Sequence, residues 1–237
     1  MNQPKMIMFD YGQTLVNEKK FDGVKGTAEV LKYATENRYN LSPEWVQAEA
    51  NKINKEIGRF NYLTETLVNL EVHNRAFGAY LYESLGIKLS LTPEELDRVF
   101  WENAVDAEPT EGIAELLKEL DDMGIRTAVV SNMAYAGSVV TDRINRILPD
   151  NKFEFIIASS EYIFRKPNPR IFRLALEKAR LNASDVWYIG DNYECDVDGA
   201  RNVGITPVWY KGALRSEQQD RDDVIKITSW SELKSYL

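Results

Sequence analysis

The feature that most constrains the fold is a short apolar run, Met6–Phe9, which ends at the carboxylate of Asp10 and is followed at once by Gly12 and Thr14. The run is much shorter than the roughly 20 residues of a membrane span, and it is too short for a helix that is stable alone. It therefore predicts a strand buried on both faces, as in a parallel sheet. Asp10 then lies at the carboxyl end of that strand, where ligands bind in open α/β sheets.

From residue 105 onward, short apolar runs alternate with amphipathic segments. The runs that predict strands are 125–130, 153–158, 186–189, 206–210 and 224–227. The segments that predict helices are 111–123, 139–148, 170–179 and a short one that begins at Ser229. Strands that alternate with helices of about 10–15 residues indicate βαβ units. We therefore expect the α/β class, with a doubly wound parallel sheet.

Residues 21–104 lack the β-branched runs of strands and carry several helix start and stop signals. The predicted helices are 27–37, one that begins at Ser42-Pro43, 66–85 and one that begins at Thr92-Pro93. Gly86 ends the third, as glycine commonly does. The prediction is an α/β domain formed by 1–16 and 105–237, interrupted by an all-helical domain of 17–104 that lies over the carboxyl edge of the sheet. Four aromatic residues are expected in the core of the insertion: Tyr62, Phe77, Tyr80 and Trp101.

The overall charge and the cysteine content exclude several kinds of partner. The net charge is −8, which disfavours nucleic acid and anionic membranes. The longest apolar run is too short to span a bilayer, so no membrane partner is expected. The single cysteine, Cys195, allows no internal disulfide and fits a reducing cytoplasm. The expected partner is a small molecule, and the chain is expected to be a monomer or a homodimer.

Polar side chains follow several of the predicted strands. Asp10 follows the first strand, Ser131 follows 125–130, and Asp191 follows 186–189, with Asp196 close behind. Lys166 lies in the loop after 153–158, where Pro167 and Pro169 make the segment extended and rigid. Because the carboxyl ends of parallel strands meet at one edge, we expect these five residues to converge. Close carboxylates repel by up to about 4 kcal/mol per pair, and an oxygen-only cluster of this kind favours Mg²⁺.

This set resembles the four motifs of the haloacid dehalogenase superfamily, which consists mostly of phosphatases. The stretch from Asp10 to Leu15 resembles the first motif, Ser131-Asn132 the second and Lys166-Pro167 the third. Gly190-Asp191 through Asp196 resembles the fourth. Each motif alone is weak, but the four occur in order and cover all of the sheet-forming chain. The resemblance implies a Rossmann-like core, and it identifies the inserted helical block as a cap domain.

The resemblance also implies roles for individual residues. Asp10 would attack phosphorus and form an aspartyl-phosphate. The residues implied in catalysis are Asp10, Thr14, Ser131 and Lys166, and those implied in substrate binding are Gln13, Ser131, Asn132 and Lys166. The implied Mg²⁺ ligands are Asp10, the backbone carbonyl of Gly12, Asp191 and Asp196. The implied substrate is a small phosphorylated metabolite.

The first motif departs from the phosphatase pattern at Gly12. Phosphatases of the superfamily carry a second Asp there, which protonates the leaving group, and general acid catalysis contributes about 10² to 10⁴ in rate. Three interpretations stay open. The substrate has a leaving group that needs no proton, or another side chain such as Glu18, Gln13 or a cap residue supplies the proton, or the chain does other chemistry or none.

The other chemistries have their own requirements. A 2-haloacid dehalogenase lacks the second Asp and needs no metal, but the fourth motif here has the metal-binding form. A phosphonate hydrolase uses a cap lysine, for which the candidates are Lys19, Lys20, Lys25 and Lys32. A non-catalytic member would bind a phosphorylated ligand or a protein. A serine triad is disfavoured, because the only histidine, His73, lies in the helical block.

Overall fold

The computed structural model describes residues 3–59, 69–213 and 221–237. Its strands are β1 (Met6–Phe9), β2 (Val16–Glu18), β3 (Ala34–Asn37), β4 (Ile87–Leu89), β5 (Ala107–Pro109), β6 (Arg126–Ser131), β7 (Ile156–Ala158), β8 (Val186–Gly190), β9 (Thr206–Tyr210) and β10 (Ile225–Ile227). Its α-helices are α1 (Gly23–Leu31), α2 (Pro43–Glu56), α3 (Asn74–Ser84), α4 (Pro93–Ala104), α5 (Ile113–Asp122), α6 (Gly137–Ile147), α7 (Pro169–Ala179), α8 (Gly199–Arg201) and α9 (Trp230–Leu233). A π-type helical turn, Tyr193–Asp198, leads into α8.

The main sheet has six strands in the order β10-β9-β8-β1-β6-β7, and every pair in it is parallel. In β1 the side chains alternate between two cores. Ile7 and Phe9 contact the core that α5, α6 and α9 close, whereas Met6 and Met8 contact the core that α7 and α8 close. All four side chains are fully buried. The predicted α/β class and the doubly wound parallel sheet are therefore confirmed.

The chain leaves the sheet through β2 and returns through β5, and these two strands pair antiparallel. The segment between them carries α1 to α4 and has its own apolar core, in which α1 packs against α2 and α4. Its entry and exit are therefore adjacent, so a long insertion leaves the parallel sheet intact.

The expectation of an all-helical insertion needs a correction. Residues 34–37 form β3 and not the end of a helix, and they pair antiparallel with β4. The partner strand is about 50 residues away in the chain. Residues 34–37 read Ala-Thr-Glu-Asn and lack a strand pattern of their own, so the distant pairing decides their conformation.

The predicted helix 66–85 corresponds to α3, which begins at Asn74. His73 is its N-cap, and its Nδ1 accepts a hydrogen bond from the backbone N–H of Arg75 at 2.9 Å. Residues 66–68 of the prediction lie outside the described residues. Among the described residues, we find no helix with the length and apolar character that crossing a membrane requires.

The four aromatic residues expected in the core of the insertion differ in burial. Phe77 is partly buried against that core. Trp101 is buried, but it packs in the core of the α/β domain and not in that of the insertion. Tyr80 is 63% exposed, so its prediction was wrong: it lies on the solvent face of α3. Tyr62 lies outside the described residues.

Candidate active site

Three carboxylates meet at the carboxyl edge of the sheet. Asp10 follows β1, and Asp191 and Asp196 follow β8, which pairs with β1 in parallel. One oxygen from each of the three carboxylates lies within 4.8 Å of the others. The three acidic residues predicted as metal ligands are therefore together, because adjacent parallel strands end at the same height.

Lys166 places a buried positive charge against this cluster. Its Nζ lies 2.8 Å from Oδ1 of Asp10 and 2.7 Å from Oδ1 of Asp196, and the residue is 1% exposed. Nζ also donates to the hydroxyl of Tyr188 at 2.8 Å, and that hydroxyl donates to the carbonyl of Val130 at 2.6 Å. The ammonium therefore has three oxygen acceptors in fixed positions.

Two hydrogen bonds to Asn132 hold the backbone of Lys166. The Asn132 Nδ2 donates to the carbonyl of Lys166 at 2.9 Å, and the N–H of Lys166 donates to Asn132 Oδ1 at 2.7 Å. Both polar atoms of this side chain therefore contact the Lys166 backbone. This contact positions the lysine and ties the loop after β7 to the end of β6.

Ser131, at the end of β6, donates its hydroxyl to Oδ1 of Asp10 at 2.7 Å. The same carboxylate oxygen thus accepts from Ser131 and from Lys166. These two donors orient Asp10 in the cleft. The sequence predicted that the three residues converge, but not that Ser131 and Lys166 bind the Asp10 carboxylate.

The other residues of the first motif make local contacts. Gln13 donates from Nε2 to the backbone carbonyl of Glu18 at 2.9 Å, so its amide points along the chain toward β2. Thr14 is fully buried, and its Oγ1 has no hydrogen-bond partner within the described part of the chain. Gly12 is partly exposed. The sequence expected Gln13 to bind substrate and Thr14 to take part in catalysis, and neither expectation is tested by these contacts.

The electrostatics of the cluster favour a bound cation. Burial raises the pKa of Asp196 to about 6, although Lys166 acts in the opposite direction. Burial and the adjacent charge of Asp196 hold the pKa of Asp191 well above its ordinary value. Burial alone would lower the pKa of Lys166, but Asp10 and Asp196 outweigh that effect and raise it. Negative charge therefore exceeds the available positive charge, and the oxygen-only donor set fits a hard divalent ion such as Mg²⁺.

Gly190 makes room for the cluster. A Cβ at this position would lie 2.3 Å from both Cγ and Oδ2 of Asp196, so only glycine lets that carboxylate lie against the end of β8. The N–H of Asn192 donates to Oδ2 of Asp196 at 2.9 Å and completes the cradle.

Sequence reasoning missed two contacts in this cradle. Tyr188 anchors Lys166, and the indole N–H of Trp209 donates to the carbonyl of Asp191 at 2.8 Å. Both residues lie in apolar strands, where an aromatic side chain indicates only core packing. Their polar atoms carry no sequence signal that separates them from other buried aromatics.

A cavity of about 290 Å³ lies between the insertion and the core, next to Asn132. Its lining includes the buried carboxylate of Asp97, the guanidinium of Arg59 and the amide of Asn54. The Oδ1 atoms of Asp97 and Asn54 and the Nε of Arg59 are buried, with no partner within the described residues. The cavity therefore offers both donors and acceptors to a polar ligand.

Comparisons with known proteins give three informative relatives. The chain is 32% identical over 102 residues to a glyceraldehyde 3-phosphate phosphatase of Pyrococcus abyssi, which covers 42% of this chain and 41% of that protein. It is 27% identical to the Pyrococcus furiosus protein of the same name, over 89% of this chain and 82% of that one. A solved 2-haloacid dehalogenase of Pseudomonas syringae superimposes with a TM-score of 0.65 and 20% identity, over 98% of this chain and 97% of that one.

The matched segment thus spans less than half of the Pyrococcus abyssi relative, and the structural likeness at 20% identity concerns the fold alone. A family model described as haloacid dehalogenase-like hydrolase matches residues 4–204, which contain all four motif regions and the carboxylate cluster. The chain therefore belongs to the family of haloacid dehalogenase-like hydrolases.

Proposed function

We propose that this chain is a Mg²⁺-dependent phosphatase that acts on a small phosphorylated metabolite through an aspartyl-phosphate on Asp10. The observation that carries the proposal is the cluster itself. Asp10, Asp191 and Asp196 lie within 4.8 Å of one another, and Lys166 bridges two of them. A nucleophilic carboxylate approaches an anionic phosphoryl group only where positive charge offsets the repulsion between them.

In this proposal Asp10, Asp191, Asp196 and the backbone carbonyl of Gly12 hold Mg²⁺. The ion supplies charge neutralisation for the phosphoryl oxygens and the nucleophile. The free oxygen of Asp10 attacks phosphorus while Ser131 and Lys166 hold its other oxygen. The P–O bond to the alcohol breaks, water hydrolyses the aspartyl-phosphate, and the products are an alcohol and inorganic phosphate. Residues 17–104 act as the cap.

In this proposal the organic part of the substrate occupies the cavity beside Asn132. Its buried acceptors, Asp97 and Asn54, and the donor Arg59 favour a leaving group with several polar atoms. Both Pyrococcus relatives are named glyceraldehyde 3-phosphate phosphatases, which is consistent with a small polar phosphate ester.

The alternatives have less support. Lys19, Lys20, Lys25 and Lys32 are all exposed, whereas a lysine that forms a Schiff base needs burial or a neighbouring cation to lower its pKa. Halide displacement without a metal would leave no cation to offset the repulsion among the three carboxylates. Phosphate-ester hydrolysis is therefore the function that the site supports best.

Hydrolysis of p-nitrophenyl phosphate with Mg²⁺ and with EDTA tests this proposal. We expect Mg²⁺-dependent turnover that Asp10→Asn abolishes. The exposed Asp150 provides a matched control, because Asp150→Asn makes the same chemical change far from the cluster. Turnover that survives both EDTA and Asp10→Asn would refute the proposal, and halide release from a 2-haloacid without metal would replace it with dehalogenation.

A further inference from the structure

Gly12 stands where phosphatases of this family carry their second Asp, and the structure shows what faces this position. Within the described part of the chain, a Cβ built on Gly12 would have one non-neighbouring heavy atom within 4 Å, Oε2 of Glu18 at 3.8 Å. The backbone at Gly12 is outside the left-handed region, so the turn itself does not require glycine. The absence of a side chain at Gly12 therefore leaves a space, and the carboxylate of Glu18 lies on the far side of that space.

The Glu18 side chain is held in a defined orientation. It lies at the end of β2, and Trp101 donates its indole N–H to Oε1 of Glu18 at 3.2 Å. The guanidinium of Arg143 lies 4.0 Å from the same oxygen. Both of these contacts are made to Oε1, and the Tyr11 side chain adds a further hydrogen bond to the carboxyl group. Oε2 is the oxygen that lies nearest to the space beside Gly12.

The environment of Glu18 also suits a proton donor. Burial raises the pKa of this carboxyl group and the negative charge of Asp10 adds to the shift, whereas Arg143 and the hydrogen bonds from Trp101 and Tyr11 oppose it. A carboxyl group whose pKa moves toward neutral is a more effective general acid at neutral pH. The other candidate in this loop, Gln13, has an amide that donates to the Glu18 carbonyl and no proton that titrates near neutral pH.

We infer that Glu18 supplies the acid and base that Gly12 lacks. This inference rests on the proposed phosphatase function. As Asp10 bonds to phosphorus, the P–O bond to the leaving group breaks, and the Glu18 carboxyl gives its proton to the departing oxygen, so an alcohol leaves. The Glu18 carboxylate then takes a proton from the water that attacks the aspartyl-phosphate. Inorganic phosphate leaves, Asp10 is again a free carboxylate, and Glu18 is again protonated.

Glu18→Gln tests the inference, because glutamine keeps the size of the side chain and an oxygen that accepts from Trp101. With an alkyl phosphate such as glycerol phosphate, whose leaving group needs a proton, we expect kcat/KM to fall about 10²- to 10⁴-fold. With p-nitrophenyl phosphate kcat/KM should fall far less, because nitrophenolate leaves without a proton. The loss of the base should also make the phosphoenzyme accumulate, seen as a burst of nitrophenolate and as a phosphorylated chain in intact-protein mass spectrometry.

A rescue variant and a control sharpen the test. Gly12→Asp in the Glu18→Gln background places a carboxyl group in the open space, and it should restore much of the alkyl phosphate turnover. Glu108 lies on β5, the strand that pairs with β2, and its side chain is 57% exposed beside Lys19. Glu108→Gln should leave both substrates' turnover unchanged.

The alternative role for Glu18 is that of a counter-ion for the buried Arg143. In that case Glu18→Gln would lower the melting temperature and reduce kcat/KM for alkyl and aryl esters by the same factor, and this outcome would overturn the inference. No effect of Glu18→Gln, with Asp10→Asn still inactive, would overturn it and leave the phosphatase proposal intact. A wild-type chain that hydrolyses neither ester would overturn both.

Discussion

The ammonium nitrogen of Lys166 lies 2.8 Å from Oδ1 of Asp10, in a site where the lysine is almost fully buried. The same nitrogen lies 2.7 Å from Asp196. One buried cation therefore partly balances three clustered carboxylates, and both the stability and the chemistry of the site depend on this balance.

Replacement of this cation should be costly. Lys166→Met leaves Asp10 and Asp196 buried without their partner, and removal of one member of a buried ion pair typically costs about 3–5 kcal/mol of unfolding free energy. Urea denaturation in EDTA measures the loss. The loss should be smaller in acid, where the carboxyl groups take up protons and lose their mutual repulsion. Lys152→Met is the control: Lys152 pairs with Asp121 on the surface, and its removal should change little. Equal effects of the two substitutions would contradict this prediction.

The effect of Asp191→Asn on the stability of the chain should change sign when metal is added. Without metal the substitution removes one of three mutually repelling carboxylates, so in EDTA the variant should be at least as stable as the wild-type chain. With Mg²⁺ the wild-type chain should gain stability by binding the ion, and the variant should gain much less. Thermal denaturation with and without Mg²⁺ measures both effects. The neighbouring Asp198→Asn, which removes a carboxylate paired with Arg201, should keep the metal-induced shift. An unchanged shift in Asp191→Asn would argue against this residue as a ligand.

Gly190→Ala should disable the cluster through shape alone. The added methyl group would lie 2.3 Å from Cγ of Asp196, so this carboxylate has to move. We expect the Mg²⁺-induced rise in melting temperature to disappear and phosphate-ester turnover to fall with it. Gly78→Ala is the matched control, because its Cβ would meet Leu96 at 3.7 Å, an ordinary contact, and alanine favours the helix by up to about 1 kcal/mol. If Gly190→Ala kept the Mg²⁺-induced rise in melting temperature, metal binding would not require the Asp196 carboxylate to lie against residue 190.

Asp97 should make stability depend on pH. Burial raises its pKa from 3.8 to about 6, so the folded chain binds this proton more tightly than the unfolded chain. The contribution of Asp97 to the unfolding free energy therefore falls as the pH rises from the unfolded to the folded pKa, by up to about 3 kcal/mol at about 1.4 kcal/mol per pKa unit. Asp97→Asn keeps an acceptor for the N–H of Ala136 and removes the titration.

The difference between wild type and Asp97→Asn isolates this one group from all others that titrate. The variant should gain stability relative to the wild-type chain between about pH 4 and about pH 7 in urea denaturation. The exposed Asp150→Asn should show no such trend. If the difference in unfolding free energy between wild type and Asp97→Asn were the same at both pH values, the predicted titration of Asp97 would be wrong.

The sequence predicted the central strands and the helices that follow them more reliably than the insertion. β1 and β8 are continuous apolar runs and β6 contains the apolar run 128–130, because both faces of a parallel sheet are buried, and such runs are visible in the sequence. Residues 34–37 have no such run, and they form a strand only because β4 pairs with them. Local patterns therefore failed where a distant partner decides the conformation.

The polar residues at the strand ends show the same division. Convergence of Asp10, Ser131, Lys166, Asp191 and Asp196 followed from the sequence, because parallel strands bring their carboxyl ends to one edge whatever the details of packing. The contact of Tyr188 with Lys166, and the orientation of Glu18 toward Gly12, depend on the direction of individual side chains. No spacing along the chain encodes those directions.

The sequence by itself thus determined the α/β class and the set of charged groups at the edge of the sheet. Buried parallel strands appear in the chain as apolar runs that alternate with amphipathic helices, and each run shows which residue follows its carboxyl end. Only the tertiary structure decided which carboxylate faces the gap at Gly12. That relationship arises where β2 pairs with β5 and where Trp101, more than 80 residues after Glu18, fixes one of its oxygens. Contacts between residues so far apart are set by three-dimensional packing, and the linear pattern carries no trace of them.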